Sequence, residues 1–197
     1  LVGLESCIRA RSMVISMDIS MDIYSPSPAV HELSPGRAIL FPLLNQNANK
    51  TCNFVFVHNY GFTAASTNAF ISRVEALRLH ACNHPEESSL VLMGDFNLTP
   101  TGSVVISLAD AASISNSFVH EPVRAFESKW NVFFAKMVEI DFPLPSHVNS
   151  ASLNVCRINR FFLGIHKSVV PMLEAGVIRD PTWYESNGLS DHAPIFF

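Results

Sequence analysis

Two short apolar runs on either side of an amphipathic segment constrain the fold of this chain most strongly. Phe54–Val57 and Leu90–Met93 are each wholly apolar, which is typical of strands that are covered on both faces. Between them, Ser66 and Thr67 are suitable N-caps for a helix that runs to about Cys82 and is ended by His84-Pro85. The order strand, helix, strand predicts an α/β fold.

One apolar stripe supports this helix, and weaker patterns predict the remaining elements. The stripe has helical spacing and consists of Phe70, Ile71, Val74, Leu77 and Ala81. The other predictions are one or two strands within Arg9–Ile23, a loop at Ser25–Pro28, a strand over Arg37–Leu44, a short helix within Ser103–Ala112, loops across Asp141–Ser152, a strand over Arg157–Ile165, a short helix over Val169–Ala175 and a last strand over Ala193–Phe197.

Length and composition predict a single packed domain over residues 1–197. The chain has 197 residues, of which 48% are hydrophobic and 15% charged, and this is enough for one sizeable core. No apolar run approaches the roughly 20 residues that span a bilayer, so we expect no membrane segment. Four scattered cysteines without CxxC spacing favour reduced thiols and an intracellular protein.

The charge and the first residue each bear on function. A formal net charge of −4 argues against a strongly basic nucleic-acid wrap, but a metal site supplies its own positive charge where a phosphate binds. The chain begins at Leu1 without an initiator methionine, so we expect a fragment whose first strands are missing.

Polar groups follow the second apolar run directly, in Gly94-Asp95-Phe96-Asn97. Asp95 and Asn97 are two residues apart and are predicted to point to the same side, where a carboxylate and an amide can activate and orient a water molecule. The alternative interpretation is an Asx-type turn that merely ends a strand.

The final apolar strand is preceded by Ser190-Asp191-His192-Ala193-Pro194. An aspartate beside a histidine suits contact with a metal or a water molecule, together with donation to a phosphoryl oxygen. A capped turn is the alternative. Similarly, His58 ends the first apolar run and is either a structural histidine or a site residue. His80, Cys82 and His84 lack a fourth ligand with matching spacing, which argues against structural zinc.

Taken together, these motifs resemble the endonuclease/exonuclease/phosphatase superfamily, the fold shared by DNase I, the abasic-site endonucleases and retrotransposon endonucleases. The motif order from Pro35-Gly36-Arg37 to Phe197 is similar to that of the superfamily. The resemblance implies a two-layer β-sandwich flanked by helices. His58-Asn59-Tyr60-Gly61 and the loop Asp141–His147 resemble in particular the endonuclease domains of non-LTR retrotransposon polyproteins.

The resemblance also implies an activity, which is Mg²⁺- or Mn²⁺-dependent hydrolysis of a phosphodiester, with DNA as the expected substrate. It implies that Asp95 activates the attacking water and Asn97 orients it, and that His58, Asn97 and His192 bind the substrate. It also implies that Asp191 and Asp95 serve the metal and that Asn159 occupies a further catalytic position. A nuclear location would follow from a retroelement origin. A phosphatase or a lipid phosphodiesterase on the same fold is the nearest alternative.

Two departures from the superfamily pattern favour a further alternative, an impaired or inactive remnant, and a third, at Gly61, puts one phosphate contact in doubt. The segment around Arg157-Ile158-Asn159-Arg160 resembles a superfamily strand whose aspartate holds the terminal histidine, but Asn159 replaces that aspartate. The strand ending in the metal-binding glutamate is not found, and Glu5 is a poor substitute. Gly61 stands where relatives often carry a phosphate-contacting asparagine.

Overall fold

The computed structural model describes residues 24–26, 30–100, 105–107, 114–115, 121–140, 147–149, 154–164, 176–177 and 195–196. Its strands are β1 (Tyr24–Pro26), β2 (His31–Ser34), β3 (Ala38–Asn45), β4 (Lys50–His58), β5 (Ser88–Asp95), β6 (Val105–Ser107), β7 (Ile114–Ser115), β8 (Val138–Glu139), β9 (His147–Asn149), β10 (Asn154–Cys156), β11 (Asn159–Leu163), β12 (Gly176–Val177) and β13 (Ile195–Phe196). Its helices are α1 (Ala64–Asn83), α2 (Glu121–Arg124) and α3 (Glu127–Phe134).

The main sheet has the order β1-β3-β4-β5-β11-β8, and β2 pairs with β3 beside β1. Strands β4 and β5 run parallel, with α1 as the connection between them, whereas the other pairs in this sheet are antiparallel. A smaller sheet has the order β7-β6-β10-β9, and β12 pairs with β13. The predicted α/β class is therefore confirmed, as are the strands predicted around Phe54–Val57 and Leu90–Met93.

The N-cap of helix α1 is Thr63, three residues before the predicted cap Ser66. The side chain of Thr63 accepts a hydrogen bond from the backbone N–H of Ser66, and the Ser66 hydroxyl accepts one from the backbone N–H of Thr63. This reciprocal pair is a capping box built on serine. Thr67, the other predicted cap, is fully buried inside the helix, while the predicted end at His84 is confirmed.

The two faces of the main sheet bury different sets of side chains. Helices α1 and α3 pack on the first face, where Trp130 and Phe70 lie against Val55, Leu92 and Phe162. The predicted helical stripe is confirmed, because its members are buried or partly buried in this cluster. The second face carries a separate apolar cluster: Phe41, Leu43, Phe56, Met93, Ile140, Phe161 and Leu163.

Three predictions about the weaker elements were wrong, and one helix was missed. Tyr24–Pro26 is a strand rather than part of a loop, and its edge position tolerates proline, which has no N–H to donate to a ladder. Val105–Ser107 is a strand rather than a helix, and His147–Asn149 is a strand inside a predicted loop, because both pair with β10. The helix Glu127–Phe134 was not predicted at all.

Some predictions lie outside the described residues. They are the strands within Arg9–Ile23, the helix over Val169–Ala175, the stand-in Glu5 and the terminal pair Asp191 and His192. Within the part that the structure describes, no helix combines the length and apolar character needed to cross a bilayer.

Candidate functional site

Three neighbouring strands bring predicted site residues into one row at an edge of the main sheet. Because β4 and β5 are parallel, their carboxyl ends meet, and His58 is the register partner of Asp95. Strand β11 runs antiparallel to β5 and begins at the same edge, where Asn159 is the other register partner of Asp95. The structure thus brings His58, Asp95 and Asn159 together from positions that are far apart in sequence.

This row continues the second apolar face of the sheet. Side chains two residues apart on a strand share a face. His58 therefore follows Phe54 and Phe56, and Asp95 follows Val91 and Met93, all of which belong to that face. The polar row thus lies on the face opposite helices α1 and α3, where it ends a layer of apolar side chains.

A tight turn holds the Asp95 carboxylate in place. Its Oδ1 accepts a hydrogen bond of 2.8 Å from the backbone N–H of Asn97, and the Asp95 residue is 7% exposed. This is the Asx-type turn that the sequence offered as an alternative. The turn does not exclude a chemical role, because Oδ2 faces the His58 ring at 3.7 Å from Nε2.

Asn97 is held in an uncommon backbone conformation beside this carboxylate. Its φ is +53°, in the left-handed region that asparagine tolerates better than most residues. The side chain is buried, and its Nδ2 has no hydrogen-bond partner in the described part of the chain. Phe96 anchors the turn in the core, since its ring packs edge-on against Phe134 and Phe162. The Nδ2 donor of Asn97 is available to a bound water molecule or a polar ligand.

The environment of His58 keeps its imidazole neutral. Burial is the larger cause and the positive charge of Arg37 the smaller, and both lower the pKa of His58 from its ordinary value of 6.5. Nη1 of Arg37 lies 3.5 Å from Nδ1 of His58. Arginine can only donate, so Nδ1 accepts and the ring proton is assigned to Nε2, which faces Asp95. The approach of 3.7 Å to Asp95 is longer than a hydrogen bond.

Sequence reasoning missed two residues of this edge, Arg37 and Asn59. The backbone N–H of Asn59 donates to the carbonyl of Asp95 at 2.7 Å, and its Nδ2 donates to the carbonyl of Phe96 at 2.9 Å. Asn59, which is 1% exposed, therefore joins the end of β4 to the turn after β5. The one available signal was a polar residue directly after a buried strand.

A buried thiol also lies near the row. Burial, and secondarily the charge of Asp95, raise the pKa of Cys156 to about 12. The thiol therefore stays protonated at neutral pH and is a poor nucleophile.

The described part of the site offers a limited set of metal ligands. In the row, Asp95 is the carboxylate and Asn97 is an adjacent amide. This set suits Mg²⁺, which takes oxygen ligands and is commonly held by one or two carboxylates, with water molecules and substrate phosphates completing its shell. Elsewhere in the described residues, the ligand atoms of His84, Glu86 and Glu87 lie within 4.8 Å of one another on an exposed turn. That turn precedes β5, whereas Asp95 ends it, so the two places lie at opposite ends of the strand.

No protein-family model and no curated protein matches the sequence. Solved structures share its fold. The endonuclease domain of TRAS1, a telomere-specific non-LTR retrotransposon, gives a TM-score of 0.52 at 12% identity, covering 87% of this chain. An AP endonuclease from Archaeoglobus fulgidus gives a TM-score of 0.50 at 14% identity, covering 87% of this chain and 70% of the endonuclease. The chain spans 64% of the TRAS1 domain.

The fold and the polar edge together define an α/β protein with a mixed sheet whose strand ends carry a candidate site. More specifically, the chain shares its fold with these two endonuclease structures. The fold implied by the sequence resemblance is therefore confirmed.

Proposed function

We propose that this chain is a metal-dependent phosphodiesterase that cuts DNA. The observation that carries the proposal is the row of His58, Asp95 and Asn159 across three adjacent strands. It places a carboxylate, a neutral imidazole and an amide on one face at the edge of the sheet. Those are groups that can activate water and donate hydrogen bonds to a phosphoryl group.

Within this proposal Asp95, Asn97 and His58 have separate tasks. Asp95 accepts the proton of the attacking water through its carboxylate, which the Asx turn keeps oriented. The buried Nδ2 of Asn97 has a free hydrogen-bonding capacity with which to orient that water. Nε2 of His58 donates its proton in a hydrogen bond to a phosphoryl oxygen, which the low pKa permits because the neutral ring is the form present at pH 7.

The proposal assigns a metal ion to Asp95 and Asp191. When bound, Mg²⁺ or Mn²⁺ polarises the phosphate and stabilises the leaving oxygen. His192 completes the phosphate contacts. Asp191 and His192 belong to the terminal motif outside the described residues, so their part in the site rests on the sequence resemblance alone.

DNA is the substrate that we propose because two proteins sharing the fold are named as endonucleases, one of them from a retrotransposon. A retroelement-derived endonuclease would act on nuclear DNA inside the cell. We therefore include a nuclear location in the proposal.

One observation favours a second candidate, a remnant that folds but does not turn over substrate. Asn159 is the register partner of Asp95, at the position where the resembling strand carries an aspartate. An amide cannot neutralise an imidazolium ion as a carboxylate can. In serine proteases, the change from aspartate to asparagine beside the catalytic histidine lowers turnover steeply, and we expect the same direction here.

The decisive experiment is a nicking assay on supercoiled plasmid DNA with Mg²⁺, with Mn²⁺ and with EDTA. We expect metal-dependent nicking by the wild-type chain and a loss of about 10²- to 10⁴-fold in Asp95→Asn, the range typical of removing a general base. Glu86→Gln, on the exposed turn before β5, is the matched control and should keep the wild-type rate. Equal nicking by Asp95→Asn and wild type would contradict the role of Asp95.

A third variant separates the enzyme from the remnant. We expect Asn159→Asp to raise the metal-dependent rate, because it restores a carboxylate beside Asp95. A wild-type chain that does not nick while Asn159→Asp does would identify an impaired copy. If neither cuts DNA, the proposed activity is wrong for this chain.

A further inference from the structure

Arg37 lies at the end of the polar row and enters the chemistry proposed above only through His58, whose pKa it helps to lower. It directly precedes β3, and its backbone carbonyl accepts a hydrogen bond of 2.8 Å from the N–H of His58. Its guanidinium group approaches Nδ1 of His58 at 3.5 Å and lies 5.7 Å from the centre of the Tyr60 ring. The row therefore has a cation at one end.

This cation differs from other arginines of the described region. Arg78, Arg157 and Arg160 each contact a glutamate at 2.7 to 3.4 Å. None of the ion pairs between described residues includes Arg37. In a protein with a formal net charge of −4, an arginine that pairs with no carboxylate of the described residues presents local positive charge to an anion.

The surrounding chain holds the guanidinium group in place without using up its donors. Gly61 has a φ of +75°, and a Cβ atom there would lie 3.3 Å from Nη2 of Arg37. The loop after β4 thus packs its backbone closely against the group. Of the five N–H donors of an arginine, the described contacts direct one nitrogen, Nη1, toward a ring nitrogen of His58.

We propose that Arg37 binds a backbone phosphate of DNA, next to the phosphate that His58 contacts. This inference rests on the proposed function and adds a second phosphate contact to the site. A guanidinium group can donate two parallel hydrogen bonds to one phosphate, and the position beside Tyr60 fixes its direction. The predicted ligand is a nucleic-acid backbone, because the DNA substrate of the proposed function supplies a further phosphate beside the one that His58 contacts.

Binding without turnover tests this contact separately from catalysis. We would measure the affinity of a fluorescent DNA duplex in EDTA across a series of NaCl concentrations. Each phosphate neutralised by a cation adds about 0.9 to the slope of log affinity against log salt. We expect Arg37→Gln to lower that slope by about 0.9 and the affinity at 0.1 M salt by about tenfold.

Three further variants make the result specific. Arg37→Met is a second neutral change that keeps an unbranched stem over Tyr60, and it should reproduce the loss if Arg37→Gln folds poorly. Arg37→Lys keeps the charge and should keep the slope. Arg73→Gln removes an exposed arginine on α1, which packs against the opposite face of the sheet, and it should leave the slope unchanged.

The outcomes distinguish this contact from the proposed activity. Folded Arg37→Gln or Arg37→Met with the wild-type slope overturns the contact, and so does a wild-type chain that does not bind DNA in EDTA. Binding that depends on Arg37 without any nicking retains the contact and removes the hydrolase proposal. Nicking that depends on Asp95, together with an unchanged salt slope in Arg37→Gln, retains the hydrolase proposal and removes the Arg37 contact.

Discussion

At the scale of single residues, His58 shows how the surroundings decide what a side chain can do. An aspartate nearby would favour an imidazolium ion, but burial and Arg37 act in the opposite direction and lower the pKa. The ring is then a neutral donor through Nε2 rather than a fixed cation. A neutral donor can bind a phosphoryl oxygen without forming a permanent ion pair with Asp95.

The lowered pKa of His58 has a consequence for stability. The unfolded chain binds this proton at about pH 6.5, whereas the folded chain resists it, so the unfolded state binds more protons in acid. The stabilisation is complete above pH 6.5 and is lost as the pH falls through the lower pKa of the folded state. We expect His58→Gln to lose less stability than wild type between pH 7.5 and pH 5, as measured by urea denaturation.

The matched control for this measurement is His31→Gln, which removes an exposed histidine from the edge strand β2. Denaturation of wild type and His58→Gln with the same pH dependence would contradict the assigned environment of His58.

Sequence reasoning identified the residues of the row that follow or begin buried strands, but not the residues that support them. His58, Asp95 and Asn159 are recognisable because each is polar and adjoins an apolar run. Arg37 reaches His58 only because β3 and β4 pair, and Asn59 reaches Phe96 only because β4 and β5 do. Contacts between residues that far apart depend on strand register, which no local pattern contains.

At the scale of elements, long apolar or amphipathic segments were predictable and short strands were not. Strands β4 and β5 contain continuous apolar runs and helix α1 contains a periodic apolar stripe, so each could be predicted from its own residues. Strands β6 and β9 have three residues each, and their partner β10 is remote in sequence. Their conformation is set by pairing rather than by local preference, which is why a helix and a loop were predicted there.

The parallel pair of β4 and β5 depends on one glycine. Gly94 has a φ of +144°, and a Cβ atom at this position would lie 1.9 Å from the carbonyl oxygen of Val57. Gly94→Ala must therefore separate the two strands that carry His58 and Asp95. We expect a loss of unfolding free energy well above the roughly 1–2 kcal/mol that a left-handed backbone alone costs. Chemical denaturation would measure it.

Gly36 provides the control, because its φ is also positive at +61° but a Cβ atom there would meet nothing within 4 Å. We expect Gly36→Ala to lose only about 1 kcal/mol. Similar losses in the two variants would show that the backbone of β4 does not approach Gly94 as closely as described.

At the scale of the whole molecule, the two faces of the main sheet differ in what they carry. Helices α1 and α3 cover one face with an aromatic cluster, while the polar row ends the other face. The sequence indicated the sheet and the first helix, but α3 was missed because its eight residues are too few to establish a period. Its importance becomes visible only in the packing of Trp130.

Because the aromatic cluster around Trp130 connects several elements, we expect the described core to unfold as one cooperative unit. The Trp130 ring contacts Phe70 of α1, Phe96 after β5 and Phe134 of its own helix, at centroid distances of 5.6 to 6.0 Å. Trp130 therefore joins helix α1, which connects β4 to β5, with the turn that follows β5. We expect far-UV circular dichroism and tryptophan fluorescence to report one coincident urea transition, as a single domain requires.

The burial of the cluster also determines how much stability is lost when Trp130 is replaced. Trp130 is fully buried, so Trp130→Ala should cost about 3–5 kcal/mol through lost burial and a cavity. Val132, two residues later in α3, is 65% exposed, and Val132→Ala should change stability by no more than about 0.5 kcal/mol. Two separate transitions in the wild-type chain would contradict a single domain. A small loss in Trp130→Ala would instead place the main stabilising contacts on the other face of the sheet, beneath the polar row.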